Sequence, residues 1–223
     1  EGALTFSNSR QNRLPDVDLV GVLRLIENNY VELYGGSTFT SALLTQTTNT
    51  SQVAELAFQS GSVVPGDILV QPPSPADTRI TVDGTDPGTL TIPDGVTITV
   101  NATGTGFNVQ GGLVLGHRGA VIVNEGTLEV TRGELLLGQE GGEFTNHGHI
   151  QVDDVLSTVR AQGVTERQVW NPSPTGTINI GSTGHFIVGG AVTTASFNLD
   201  RPGALVNDGR LTLQTGLNNT GDV

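Results

Sequence analysis

From residue 112 onward, short apolar runs alternate with glycine and asparagine at close intervals. Leu113-Val114-Leu115, Val121-Ile122-Val123, Leu128-Glu129-Val130 and Leu135-Leu136-Leu137 are punctuated by Gly112, Gly119, Gly126 and Gly133, each seven residues after the last. Inside a run the period is two: Thr127 and Glu129 face outward, Leu128 and Val130 inward, which predicts short half-buried strands. A longer phrase recurs on top of this beat. Asn124-Glu125-Gly126-Thr127-Leu128-Glu129-Val130 resembles Asn146-His147-Gly148-His149-Ile150-Gln151-Val152 and Asn207-Asp208-Gly209-Arg210-Leu211-Thr212-Leu213, and Asn219-Thr220-Gly221 begins it again.

The spacing of the phrase predicts the architecture. Its first two copies start 22 residues apart, and three glycine steps cover 21. A coil of three short strands and three turns needs on the order of 20–25 residues. We therefore expect an all-β parallel β-solenoid, or β-helix, with about 21–22 residues per coil and Leu128 stacked beneath Ile150. Asn and Gly tolerate positive φ, so Gly112, Gly119, Asn124, Gly126, Gly133, Asn146, Gly148, Asn207 and Gly209 are the expected coil corners. Asn side chains at equivalent corners would stack as an amide ladder. An antiparallel sandwich also has short strands and Gly/Asn turns, but it predicts neither seven-residue units nor the recurring phrase.

Residues 78–100 already alternate with period two, as in Arg79-Ile80-Thr81-Val82 and Val96-Thr97-Ile98-Thr99-Val100, and Pro93-Asp94-Gly95 is a turn. The solenoid is thus expected over residues 78–223, with a lateral loop at about 155–175 where turn residues thin out. Gln71-Pro-Pro-Ser-Pro-Ala-Asp77 reads as a stiff Pro-rich linker. It sets off residues 1–70 as a small mixed or β N-terminal region, read as an attachment or assembly segment. There Leu19, Leu23, Ile26, Tyr30 and Leu33 form a heptad stripe that suits a trimerising helix. The same residues also read as strand, Asn turn, strand, and the β reading is favoured because Gly21 interrupts the stripe. Residues 52–59 suit a two-turn helix. The chain stops at Val223, where another strand is due, so we expect a continuation or a partner covering that edge.

Composition narrows the chemistry. The 223 residues carry 10 basic and 22 acidic side chains for a net charge of −12, with no Lys, Cys or Met. Such a chain lacks the basic face of a nucleic-acid binder, disulfides, a thiolate nucleophile and Cys-ligated zinc. No apolar run reaches the roughly 18 residues of a membrane-spanning helix, so membrane insertion is not expected. The acidic surplus suits solubility and repulsion between rods, and it also suits a high-salt habitat.

A few residues invite a chemical reading. His147 and His149, with Asp153 and Asp154, are the candidate catalytic set, because paired carboxylates can act as acid and base on a sugar bond. The same two His with Asp153 or Asp154 are a candidate metal set, although only the two His are near neighbours in sequence and a useful site needs three or four convergent ligands. The plainer reading is a solvated coil corner. Asp83 and Asp86 are candidate calcium ligands through loop oxygens, although Asp-Gly and Asp-Pro-Gly are also ordinary turns. Trp170 is the best single aromatic for a glycan contact. Asn49, Asn101 and Asn218 open Asn-x-Ser/Thr acceptor sites. No phosphate-binding glycine loop is present.

The Asn-x-Gly-x-Leu-x-Val phrases resemble the β-helical repeats of bacterial adhesins and autotransporter passenger regions, and are similar to viral fibre and spike β-helices. The resemblance covers about residues 78–223. It implies a rigid extracellular rod on a cell surface or a virion, in a class whose members are often homotrimers or long single chains. We expect self-association as a trimer or filament, a glycan or host-surface receptor as a further partner, and no cofactor other than the candidate calcium. β-Helical pectin hydrolases carry a Gly-His-Gly turn with paired Asp and an Arg-x-Lys. Here the order is His-Gly-His and Lys is absent, which puts cleavage in doubt. The expected function is a non-catalytic building block of a surface fibre, spike or adhesin. A tail fibre or capsid spike and a polysaccharide-cleaving enzyme are the alternatives.

Overall fold

A computed structural model of the protein describes residues 2–7, 12–26, 29–45, 53–73, 78–83, 88–103, 112–116, 120–137, 142–153, 157–161, 169–171, 175–188, 192–193, 204–213 and 217–218. Every regular element among them is a β-strand, and every pairing between strands is parallel. The chain climbs as a parallel β-solenoid.

Its first face stacks β1 (Gly2–Ser7), β3 (Asp18–Ile26), β5 (Thr38–Thr45), β8 (Asp67–Gln71), β11 (Thr97–Asn101), the first half of β14 (Thr127–Leu137), β16 (His149–Val152), β19 (Thr177–Ile180) and β22 (Leu205–Asn207). The second face stacks β2 (Asn12–Pro15), β4 (Asn29–Tyr34), β6 (Ala54–Gln59), β9 (Thr78–Asp83), β12 (Gly112–Leu115), the second half of β14, β17 (Ser157–Ala161), β20 (His185–Val188) and β23 (Arg210–Leu213). The third face is shorter: β7 (Ser62–Val63), β10 (Thr89–Ile92), β13 (Val121–Asn124), β15 (Glu143–Asn146) and β18 (Val169–Asn171). Strands β21 (Val192–Thr193) and β24 (Leu217–Asn218) pair with each other after β20 and β23.

Period two explains why these strands stack. Inward residues form columns: Leu23, Ala42, Ile68, Ile98, Leu128, Ile150 and Ile178 are in register from coil to coil and all buried. Leu90, Ile122 and Phe144 fill the core from the third face, each fully buried. Each large apolar side chain so enclosed contributes about 1.5–3 kcal/mol. The parallel ladder satisfies the backbone between coils.

Leu128 lies directly beneath Ile150, as the phrase predicts. The coil length, however, is not constant. Successive partners along the core column are separated by 19 residues at Leu23/Ala42, 26 at Ala42/Ile68, 30 at Ile68/Ile98 and Ile98/Leu128, 22 at Leu128/Ile150 and 28 at Ile150/Ile178. Strand register is set by the ladder, whereas the connections between faces take up extra residues, so 21–22 describes one coil and not the repeat.

The described residues among the first 70 are built as coils of the same solenoid. The ladder passes without a break from β5 to β8 to β11. Gln71 ends β8, and the buried Pro72 offers its carbonyl to Thr103 N at 3.0 Å, so the start of the expected linker is packed against the next coil; residues 74–77 lie outside the described residues. The heptad stripe resolves into β3 and β4, with Leu23, Leu25, Val31 and Leu33 inward. The expected helix at 52–59 is instead strand β6, because Ala54, Leu56 and Phe58 fit inward period-two positions. The expected lateral loop at 155–175 contains β17 and β18, which pair within the second and third faces.

Candidate functional site

The coil corners aim the outward side chains. Asn124-Glu125-Gly126 carries the chain from β13 into β14, and Asn146-His147-Gly148 carries it from β15 into β16. The second corner sits on the first: His147 N and Gly148 N both donate to Asn124 O, at 2.7 and 2.8 Å. Gly148 is required there, since a Cβ would run into Gly126 O and the Glu125 backbone. The two buried asparagines form the expected ladder. Asn124 Nδ2 donates to Asn146 Oδ1 at 2.7 Å and lies 3.3 Å from His149 O, while Asn146 Nδ2 donates to Thr177 O at 3.1 Å. The ladder stops below at Ile92, the register partner of Asn124, and Asn124 Oδ1 is buried with no hydrogen-bond partner among the described residues.

The third copy of the phrase occupies a different corner. Asn207-Asp208-Gly209 joins β22 to β23, between the first and second faces, and Asn207 is exposed above Ile180. Gly112 opens β12, and Gly133, at φ +104°, marks the bend inside β14. Gly119 lies outside the described residues.

The candidate acid–base residues do not converge. His147 is half-buried at its corner, and its carbonyl accepts from Thr175 Oγ1 at 3.1 Å. His149 opens β16 facing outward, with Nδ1 hydrogen-bonded to Thr177 Oγ1. Asp153 follows the other end of β16 and accepts from Gln151 Nε2. Four residues of extended chain put His149 and Asp153 about 13 Å apart along the backbone. Asp154 lies outside the described residues. Among the described residues no group of three or more His, Asp or Glu is placed to hold a metal ion. Asp83 ends β9, but its side chain and all of Asp86 lie outside what is described, as does the side chain of Trp170. The Trp170 backbone belongs to β18, in register with Phe144, and so to the third face.

What the fold does bring together is a pair of outward rows on the first face. One row is Thr127, His149 and Thr177; the other is Glu129, Gln151 and Asn179, in direct register on three successive coils. Between them runs a shallow trough of about 440 Å³, floored at Ile150 and Ile178 and ending at Val206. Its side chains are braced to one another: besides the His149–Thr177 and Gln151–Asp153 contacts, Thr99 Oγ1 donates to Glu129 Oε2 at 3.1 Å. The sequence carries the alternation that turns these residues outward. The recurring phrase also pairs Glu129 with Gln151, but nothing in the sequence shows the 28-residue step that brings Asn179 into the same row.

A second trough, of about 510 Å³, lies beneath β7, where the third face begins. It is lined by Leu33, Tyr34, Phe58, Gly61, Ser62 and Val63 among others, none of them charged. On the second face Arg13 pairs with Glu32, Nε to Oε2 at 2.7 Å. Comparison with known proteins returned nothing: no family model, no curated protein and no solved structure matches the chain.

Proposed function

We propose that the chain is a non-catalytic structural and interaction protein, a stiff shaft segment of an extracellular fibre, spike or adhesin on a cell surface or virion. The observation that carries this reading is the unbroken parallel ladder of the first face from β1 to β22. Eight steps of about 4.8 Å make a rod about 38 Å long, held by main-chain bonds in every coil. Its outer positions carry Thr, Gln, Asn, Glu and His rather than a convergent set of acid, base and nucleophile.

Immunogold labelling of the intact cells or particles that make the chain tests the reading. Label on the outer surface is expected, and label confined to the interior overturns it. The competing enzyme reading makes a separate forecast. Reducing-sugar and unsaturated-product assays across pectin, alginate and bacterial exopolysaccharides are expected to show no turnover. Cleavage abolished by His149→Ala would replace the structural reading with a catalytic one.

A further inference from the structure

We propose that the trough on the first face binds an extended, uncharged glycan chain that lies along the solenoid axis, with one sugar ring over each coil.

Thr127, His149 and Thr177 on one wall, and Glu129, Gln151 and Asn179 on the other, repeat across the strands and not along them. Polar groups therefore recur every coil, about 4.8 Å, along a straight line parallel to the rod axis. That period is close to the length of one pyranose ring in an extended polysaccharide. A polymer with the same repeat can make the same contact at each step, whereas an extended peptide, with side chains alternating at a longer period, falls out of phase.

The chemistry of the walls points the same way. Hydroxyl and amide side chains both donate and accept hydrogen bonds, as the ring hydroxyls of a sugar do. The trough holds one carboxylate, Glu129, and no Arg. In a chain of net charge −12, an anionic polymer would be repelled, which selects a neutral glycan over an acidic one. Val206, 41% exposed, closes one end and offers an apolar surface to the terminal ring.

The walls are also organised before any ligand arrives. His149 is tied to Thr177 on the next coil, Glu129 to Thr99 on the previous one, and Gln151 to Asp153. Rotamers already held by neighbours lose little entropy on binding. With no aromatic side chain in the trough, a single ring gains few contacts, so affinity is built by chain length across the four coils that bear lining residues.

Isothermal titration and amide chemical-shift mapping with neutral β-1,4-linked gluco-, xylo- and manno-oligosaccharides of two to six rings test the proposal, with oligogalacturonate as the anionic control. At least one neutral series is expected to bind more tightly with each added ring up to four and then to level off. Gln151→Ala and Asn179→Ala are each expected to weaken that binding by about fivefold, the loss of one neutral hydrogen bond. Their urea midpoints should match the parent protein. Arg24→Ala, in the same outward row but outside the trough, is expected to leave binding unchanged. The proposal is overturned if no member of the neutral panel binds at millimolar concentration, if oligogalacturonate binds as tightly, or if Gln151→Ala has no effect.

Discussion

Asn124 and Asn146 look interchangeable in the sequence, yet their truncation is expected to have different consequences. Asn146 is the upper of the two rungs of the amide ladder. Its Oδ1 accepts from Asn124 Nδ2 at 2.7 Å, and its Nδ2 donates to Thr177 O at 3.1 Å, with the residue 3% exposed. Asn146→Ala removes two hydrogen bonds of about 0.5–1.5 kcal/mol each and leaves the Thr177 carbonyl unpaired by the ladder, for a total loss of about 2–4 kcal/mol. Asn124 is the bottom rung, above the apolar Ile92. Asn124→Ala loses the donor to Asn146 and the weaker contact to His149 O, and it leaves the buried Asn146 Oδ1 without that donor, but it also removes an Oδ1 that is buried without a partner among the described residues. Relief of that desolvation cost, about 1–3 kcal/mol, cancels the like cost of the Asn146 Oδ1 left behind, so the net change is the hydrogen bonding itself, about 0.5–1.5 kcal/mol. Urea unfolding followed by far-UV circular dichroism, with equal m-values, reads the difference directly. If Asn124→Ala costs as much as Asn146→Ala, or more, the ladder account is wrong.

Other substitutions probe the remaining parts of the architecture. Gly148→Ala drives a Cβ into Gly126 O, and a loss of about 1–3 kcal/mol is expected, the usual cost of overpacking. Gly36→Ala meets nothing within 4 Å but sits at φ +84°, so its loss should be about 1–2 kcal/mol from conformation alone. Relief of that second loss in the matching Gly36→Asn variant, with none in Gly148→Asn, distinguishes the two causes. Phe144→Ala, at the fully buried centre of the third face, should cost about 3–5 kcal/mol; a loss under 1 kcal/mol in the same urea titration would mean the third face does not close on the core. Because the ladder is continuous through β5, β8 and β11, fluorotyrosine signals from Tyr30 and Tyr34 should be lost at the same urea concentration as Trp170 fluorescence. Two separated transitions would mark residues 1–70 as an independent unit.

The legible part of the fold is the part with local causes. Leu128 and Ile150 could be paired from sequence because their coil is the shortest around the Asn-x-Gly phrase and has the least room for extra residues. The same phrase at Asn207 misled, since Asn and Gly mark any sharp corner and say nothing about which two faces it joins. Residues 54–58 misled for another reason. Ala57, on the outward side of β6, is buried between its register partners Glu32 and Thr81, so Leu56-Ala57-Phe58 lost the polar alternation of a strand. The trough was only half within reach: the phrase gives the 22-residue step from β14 to β16, but not the 28-residue step that brings β19 into line.

The central claim is that residues far apart in sequence rise in even steps along one axis, and spin labels measure this directly. The protein has no cysteine of its own, so pairs can be introduced at outward positions of one register row: Arg24 with Leu69, with Glu129 and with Asn179. These pairs are two, four and six coils apart. Double electron–electron resonance should give distances that grow by about 4.8 Å per coil, near 10, 19 and 29 Å before allowance for the label arms. Distances that fail to increase in that order, or that scatter without regard to coil number, would contradict the solenoid.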